Sequence, residues 1–303
     1  MSWTLMIHGG AGRLTRETLT PAQDAGARQG LARALDAGSA VLAGGGSALD
    51  AVEAAVKALE DDPHFNSGRG AVFTHDGTIE LDAAIMDGHT RAAGAVAAVT
   101  ATRNPVALAR AVMDDGRHVL LAGKGADAFA LEQGVEPADL SWFATDERRR
   151  QFAELQASGD TFDVNMKYGT VGAVACDADG NVAAATSTGG VTGKRWGRIG
   201  DSPVIGAGTW ADDACAVSCT GSGEFFLRVG VGHAIAARVK LLGEDIATAA
   251  ETVMAEVVAL GGTGGVIVAG PDGRAAWHFT TPGMNRGRAD SHGVREVAIY
   301  GDD

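Results

Sequence analysis

Cysteine is scarce in this chain, with only Cys176, Cys215 and Cys219 among 303 residues. An odd number in so long a chain argues against a disulfide framework and fits a reducing compartment. Cys215 and Cys219 stand among Ala, Val and Ser with no second pair at zinc-site spacing, so they read as small buried side chains rather than metal ligands. Long apolar runs are also missing. No stretch approaches the roughly 20 apolar residues of a membrane span, and residues 3–7 are too short, with no basic region before them, for a secretory leader. A cytoplasmic protein without a membrane partner is the expectation. Positive charge is short as well: 25 Lys and Arg against 38 Asp and Glu give a formal charge of −13. Nucleic acid and anionic membranes would meet like-charge repulsion, which leaves small molecules as candidate partners.

Glycine, in contrast, is abundant at 44 residues, about twice the usual share of roughly 7 per cent. The glycines fall between patterned segments, so they are not low complexity. Asp76-Gly77, Asp179-Gly180 and Asp272-Gly273 lie between β-prone runs and read as hairpin turns. On that basis residues 170–176 pair with 181–188, and 265–269 with 275–279. A further strand is expected near residues 3–8. Helical periodicity covers 21–43, 48–60 behind a Ser47 cap, 105–114, 125–133, 147–158, 224–242 and 244–260. Helices in blocks and antiparallel strands suit an α+β layered fold better than a βαβ repeat. Residues 144–167, with Arg148-Arg149-Arg150, are the least core-like and read as a surface helix and linker ending just before Thr170.

The chemistry centres on Gly169-Thr170-Val171-Gly172. A threonine that becomes an N-terminus supplies both a hydroxyl nucleophile and an α-amine of reference pKa about 7.7 to 8.0 as its general base. Glycine before it tolerates a strained backbone and leaves its carbonyl open to attack. Downstream, Thr186-Ser187-Thr188-Gly189-Gly190 and Ser218-Cys219-Thr220-Gly221-Ser222-Gly223-Glu224 end plausible strands and bring hydroxyls and glycine amides, the materials of an oxyanion hole. Gly9-Gly10-Ala11-Gly12 reads as a turn after a strand, and it lacks the spacing of a dinucleotide-binding loop. His8 and His233 read as packed or capping residues, because an α-amine makes a histidine base unnecessary.

These motifs, together with His8-Gly9-Gly10-Ala11-Gly12, the loop from Leu59 to Gly70, Glu80-Leu81-Asp82-Ala83 and Gly197-Arg198-Ile199-Gly200-Asp201-Ser202-Pro203, run in one order along nearly the whole chain. In them the chain resembles the plant-type L-asparaginase and isoaspartyl aminopeptidase family of N-terminal nucleophile hydrolases. The resemblance implies a four-layer αββα sandwich, one catalytic domain over 1–303, and autocleavage into 1–169 and 170–303. It implies Thr170 as nucleophile, Thr188 as the hydroxyl that tunes it, and Thr220 and Gly221 as oxyanion donors. Arg198 would grip a substrate α-carboxylate and Asp201 its α-ammonium, with Gly223 and Asn66 contacting the site. The products would include L-aspartate from L-asparagine or β-aspartyl dipeptides. Main-chain carbonyls of Leu59, Glu60, Asp62, Phe65, Ser67 and Arg69 would hold a structural sodium ion, with no organic cofactor, in a dimer of αβ units. Tyr168 stands where the resemblance implies histidine or methionine, after a short linker, which points to slow or incomplete maturation. A glycosylasparaginase and a processing-deficient amino-acid binder are the alternatives.

Overall fold

The computed structural model describes residues 2–159 and 169–303. Strand β1 (Thr4–Gly12) is followed by helices α1 (Pro21–Ala43) and α2 (Ala48–Glu60), then strands β2 (Leu81–Asp87) and β3 (Ala93–Val99). Helix α3 (Pro105–Asp115), strand β4 (Leu120–Ala122) and helices α4 (Gly123–Glu132), α5 (Leu140–Phe143) and α6 (Asp146–Ser158) lead to residue 159. After Thr170 come β5 (Val171–Cys176), β6 (Val182–Thr188), β7 (Thr209–Ala211) and β8 (Ala216–Gly221), then α7 (Gly223–Val229), α8 (Val231–Leu242) and α9 (Ile246–Ala259). Strands β9 (Gly264–Ala269), β10 (Ala275–Phe279), β11 (Gly283–Asp290) and β12 (Arg295–Tyr300) complete the chain. The class is mixed α+β. Among the described residues no helix is long and apolar enough to cross a membrane.

Eight strands form one sheet in the order β12-β11-β1-β5-β6-β2-β3-β4, and four form a second in the order β10-β9-β8-β7. Alternation along the central strands assigns their two faces. Leu5, Ile7, Val171, Ala173 and Ala175 join the core under α1 and α2. Met6, Val174, Cys176 and Ala184 join a second core with Val217, Val266 and Ile235 of the smaller sheet and its helices. His8, Gly172, Thr186 and Thr188 share the parity of this second face, so the two-residue period alone aims them between the sheets.

Local chemistry explains most helix starts. Thr20 and Gln23 form a reciprocal capping box before Pro21, and Ser47 accepts the Asp50 amide at the head of α2. Two of the three Asp-Gly pairs join strands as expected, β5 to β6 and β9 to β10. Asp76-Gly77 also turns, with the Thr74 amide on the Thr78 carbonyl, but its flanks join no strand. The helix expected over 224–242 is two helices, because Gly230 adopts φ 66° and its amide closes on the Phe226 carbonyl. Residues 9–12 belong to β1, which bulges between His8 and Ala11 with Gly10 at φ 105°, rather than to a turn. Helix α6 is not a wholly surface element, since Arg148, Gln151 and Leu155 are buried. Tyr168 and most of the linker expected before Thr170 lie outside the described residues.

Candidate active site

Strand register assembles the centre of the site. In the large sheet His8 pairs with Gly172, Val171 with Ser187, and Asp82 with Thr188. Thr170 is therefore delivered beside Thr188, and their hydroxyl oxygens lie 3.1 Å apart. The Gly190 amide donates to the Thr188 hydroxyl at 3.0 Å, which fixes that hydroxyl from its other side. The Gly169 carbonyl accepts the Asn66 amide at 3.0 Å. Asn66 is itself pinned, donating to the Gly190 carbonyl at 2.7 Å and accepting the Val72 amide at 3.0 Å.

The reason for glycine at 169 is space rather than strain. Its φ is not among the positive values, but a Cβ there would lie 2.6 Å from the Asn66 Cβ and 2.9 Å from its amide nitrogen. Gly172 is required for the same reason, because a Cβ would meet Ser218 Oγ at 2.0 Å and His8 Nε2 at 2.4 Å.

That close approach makes room for a directed chain of hydrogen bonds. His8 is fully buried, with Nδ1 3.0 Å from the Thr170 carbonyl and Nε2 2.9 Å from Ser218 Oγ. A carbonyl only accepts, so Nδ1 carries the proton. Burial pushes the imidazole down to about 3, against the opposing effect of the Thr170 bond, so the ring is neutral and Nε2 must accept. Ser218 therefore donates to His8, Thr186 donates to Ser218 at 2.7 Å, and Thr209 donates to Thr186 at 2.7 Å. Each hydroxyl has one proton: were Ser218 to spend its own on the Ala185 carbonyl, the imidazole nitrogen would be orphaned, and with that proton on His8 the short contact to Thr186 requires Thr186 to donate. His8 thus holds the backbone of Thr170 and is no base. His233 packs edge-on against Trp210 at 4.9 Å between ring centres.

On the smaller sheet, β8 ends at Thr220 and Gly221. The Thr220 hydroxyl accepts the Ala11 amide at 3.4 Å, which leaves its own proton to donate. Gly221 has φ 150°, and a Cβ there would lie 2.5 Å from the Thr263 carbonyl, so its amide is placed by a backbone no other residue fits. Thr220 meets the Thr170 region through β1, whose His8 touches Thr170 and whose Ala11 touches Thr220.

Arg198, Asp201 and Gly223 converge. A Cβ on Gly223 would lie 2.9 Å from both Arg198 Nη2 and Asp201 Oδ1, so the missing side chain is the gap between cation and anion. Arg198 Nε donates to Glu224 Oε1 at 2.8 Å, which orients the guanidinium. Asp201 is buried, its Oδ2 has no hydrogen-bond partner among the described residues, and burial pushes its carboxyl up to about 7 despite the nearby Arg198 charge. A buried carboxylate with one oxygen unpartnered among the described residues, beside an oriented guanidinium, is complementary to an amino-acid zwitterion. Gly190 links the two halves: its amide holds Thr188, and a Cβ on it would be 3.6 Å from Arg198 Nη1.

Sequence reading missed Glu224 as the brace of Arg198, although it closes the motif at 220–224. It also missed buried Lys194, whose ammonium donates to the Glu80 carbonyl at 2.9 Å. Thr209 carried no signal, since it reads as an ordinary strand residue, and Ser218 stood only at the edge of a hydroxyl-rich cluster, with nothing to tie it to His8.

Paired threonine hydroxyls, glycine amides and an arginine–aspartate gap are the materials of an amide-splitting hydrolase, and the chain belongs to the asparaginase family, whose pattern it matches over residues 1–299. It is 47% identical over 306 residues to the isoaspartyl peptidase of Escherichia coli (strain K12), covering 98% of this chain and 95% of that protein. The plant-type L-asparaginase of Thermococcus kodakarensis is 41% identical over 303 residues, covering 93% and 94% respectively. The isoaspartyl peptidase/L-asparaginase of Bos taurus is 38% identical over 306 residues, covering 100% and 98%.

Proposed function

We propose that this chain is a threonine amidohydrolase that splits L-asparagine and β-aspartyl dipeptides to release L-aspartate, after cutting itself between Gly169 and Thr170. The observation that carries the reading is the Thr170 hydroxyl on the Thr188 hydroxyl, directly after a glycine whose carbonyl is held by the Asn66 amide. The names of the relatives, isoaspartyl peptidase and L-asparaginase, support the substrates. In maturation Thr170 Oγ attacks the Gly169 carbonyl carbon, the C–N bond breaks, and the hydroxyl proton ends on the nitrogen. Water cleaves the resulting ester to a Gly169 carboxylate and a free Thr170. In turnover the Thr170 amine accepts the hydroxyl proton while Oγ attacks the substrate β-carbonyl. Thr220 and the Gly221 amide stabilise the oxyanion, ammonia or an amine leaves with a proton, and water releases L-aspartate. Arg198 and Asp201 hold the α-carboxylate and α-ammonium throughout.

The same reading places the chain in the cytoplasm as a dimer of αβ units. Its fold is a four-layer αββα sandwich, supported by contacts of α1 and α2 with the large sheet, of β5 and β6 with β8, and of α8 and α9 with the small sheet. The reaction needs water and no organic cofactor. The loop after α2 suits the structural sodium ion. The Phe65, Ser67 and Arg69 carbonyls accept no main-chain amide among the described residues, while those of Leu59, Glu60 and Asp62 each accept one and keep a second lone pair. Intact mass and N-terminal sequencing after long incubation test the central claim. Thr170→Ala is expected to stay a single 30.7 kDa chain and to lose roughly 10⁴- to 10⁶-fold in kcat. Active protein whose only N-terminus is Met1 or Ser2 overturns the mechanism.

A further inference from the structure

A cavity of about 330 Å³ lies against Gly169, and His64, Arg148, Gln151 and Asn285 also line it. Thr188, Arg198 and Asp201 do not, so it is separate from the zwitterion gap. Arg148 is buried, at 8% exposure. Its guanidinium donates to the Gly70 carbonyl at 2.5 Å and to Gln151 Oε1 at 2.9 Å, both neutral. Among the described residues no carboxylate stands at ion-pair distance from it. Glu147, which also lines the cavity, is held instead by Arg150, at 2.8 Å and 2.9 Å, and by Gln151 Nε2 at 2.7 Å. Burial pulls the Arg148 guanidinium down to about 10, against the opposing charge of Glu147. A buried cation whose hydrogen-bond acceptors among the described residues are all neutral is under-compensated, and its planar fork is shaped for a carboxylate.

We propose that this cavity is a carboxylate site built on Arg148, and that its occupant is the carboxylate Gly169 acquires when the Gly169–Thr170 bond is hydrolysed. The assignment rests on the maturation reading above. In the intact chain Gly169 presents only a neutral amide carbonyl to the Asn66 amide. Hydrolysis by water adds one oxygen and one negative charge at that atom, on the cavity side of the nucleophile. The loop that holds the Gly169 carbonyl through Asn66 also holds Arg148 through Gly70, and Gly169 and Arg148 both line the one cavity, so the new carboxylate and the guanidinium face the same space. Capture there removes an anion that would otherwise stay beside Thr170 and compete with substrate for the freed nucleophile.

Fully matured protein treated with a nonspecific carboxypeptidase tests this, with intact mass of the 1–169 chain followed in time. Pairing of a buried charge is worth enough that Arg148→Met should lose its terminal residues at least about tenfold faster than wild type, with Arg148→Lys in between. Should Arg148→Met fail to fold, Arg148→Lys and Gln151→Leu carry the comparison, because each weakens the fork while keeping the charge. Equal trimming rates in folded, fully split proteins overturn the site alone. A chain that never splits overturns the maturation reading and the site together.

Discussion

Around Thr170, hydroxyls, imidazole and carbonyl form one directed chain from Thr209 through Thr186, Ser218 and His8, with Thr188 held between Thr170 and the Gly190 amide. Around Asp201 the pattern is opposite: a buried carboxylate oxygen has no partner among the described residues, and a side chain is missing at Gly223 where one would sit between the charges. The first region resembles a finished interior, whose satisfied polar groups fix one geometry. The second is held short of satisfaction, so a substrate that supplies an ammonium and a carboxylate completes it. Preorganisation serves the bond-making atom, and incompleteness serves recognition.

The sharpest way to break this contrast is to injure each half separately. Asp201→Asn removes the charge that meets the α-ammonium, and losing one partner of a buried charged pair commonly costs about 2 to 5 kcal/mol, so kcat/KM should fall by more than about 30-fold. Thr188→Val should fall mainly in kcat, because it removes the hydroxyl bond to the nucleophile and leaves the gap at Gly223 intact. The pH profile separates them further. On the proposed mechanism the free enzyme needs both the Thr170 amine, of reference pKa about 7.7 to 8.0, and Asp201, raised to about 7 by burial, in their unprotonated forms. The acid limb of log kcat/KM should approach a slope of 2 in wild type and Thr188→Val, and about 1 in Asp201→Asn. Equal slopes in all three would remove Asp201 from ammonium binding.

Gly223→Ala is a smaller and more selective injury. Its Cβ would enter the space 2.9 Å from both Arg198 Nη2 and Asp201 Oδ1, the volume a substrate α-carbon is to use. We expect KM to rise about tenfold, a loss of about 1.4 kcal/mol, with self-cleavage unaffected since Thr170, Thr188 and Asn66 are untouched. A variant that binds substrate normally but no longer matures would reverse the two roles.

What the sequence made legible follows the same division. Turn and cap chemistry is local, so the hairpins at Asp179-Gly180 and Asp272-Gly273 and the starts of α1 and α2 could be placed from a few residues each. The break at Gly230 was missed because an isolated glycine inside an apolar helical pattern is tolerated as often as it terminates. Strands β2 and β3 gave no signal: β2 is flanked on both sides and nearly uniformly buried, and β3 is mostly alanine. Thr188 and Thr220 were legible as hydroxyls at strand ends, but their roles, and Arg198 and Asp201 altogether, were legible only through family resemblance, since spacing in sequence says nothing of a gap built between the loop carrying Arg198 and Asp201 and the start of α7. Arg148 was misread as part of an exposed basic run, because its burial depends on the Gly70 loop packed over it.

The smallest effect concerns His8 and stability rather than turnover. Its folded-state value is pushed to about 3 from an ordinary 6.5, chiefly by burial. Between those values the unfolded chain binds a proton at this position and the folded chain does not, so stability rises with pH across the window and is lost as pH falls from about 6.5 toward 3. A single such group contributes a slope approaching 1.4 kcal/mol per pH unit inside that window. His8→Gln can still donate an amide hydrogen to the Thr170 carbonyl but cannot titrate, so its denaturation free energy should fall less steeply between pH 6 and pH 4.5, an interval inside the window set by about 3 and 6.5. If urea unfolding gives the same pH slope for variant and wild type, the imidazole is not held neutral and the donor order running from Thr209 to Thr170 is wrong. If the slope flattens while self-cleavage slows only modestly, His8 acts on the nucleophile solely by holding its backbone in place.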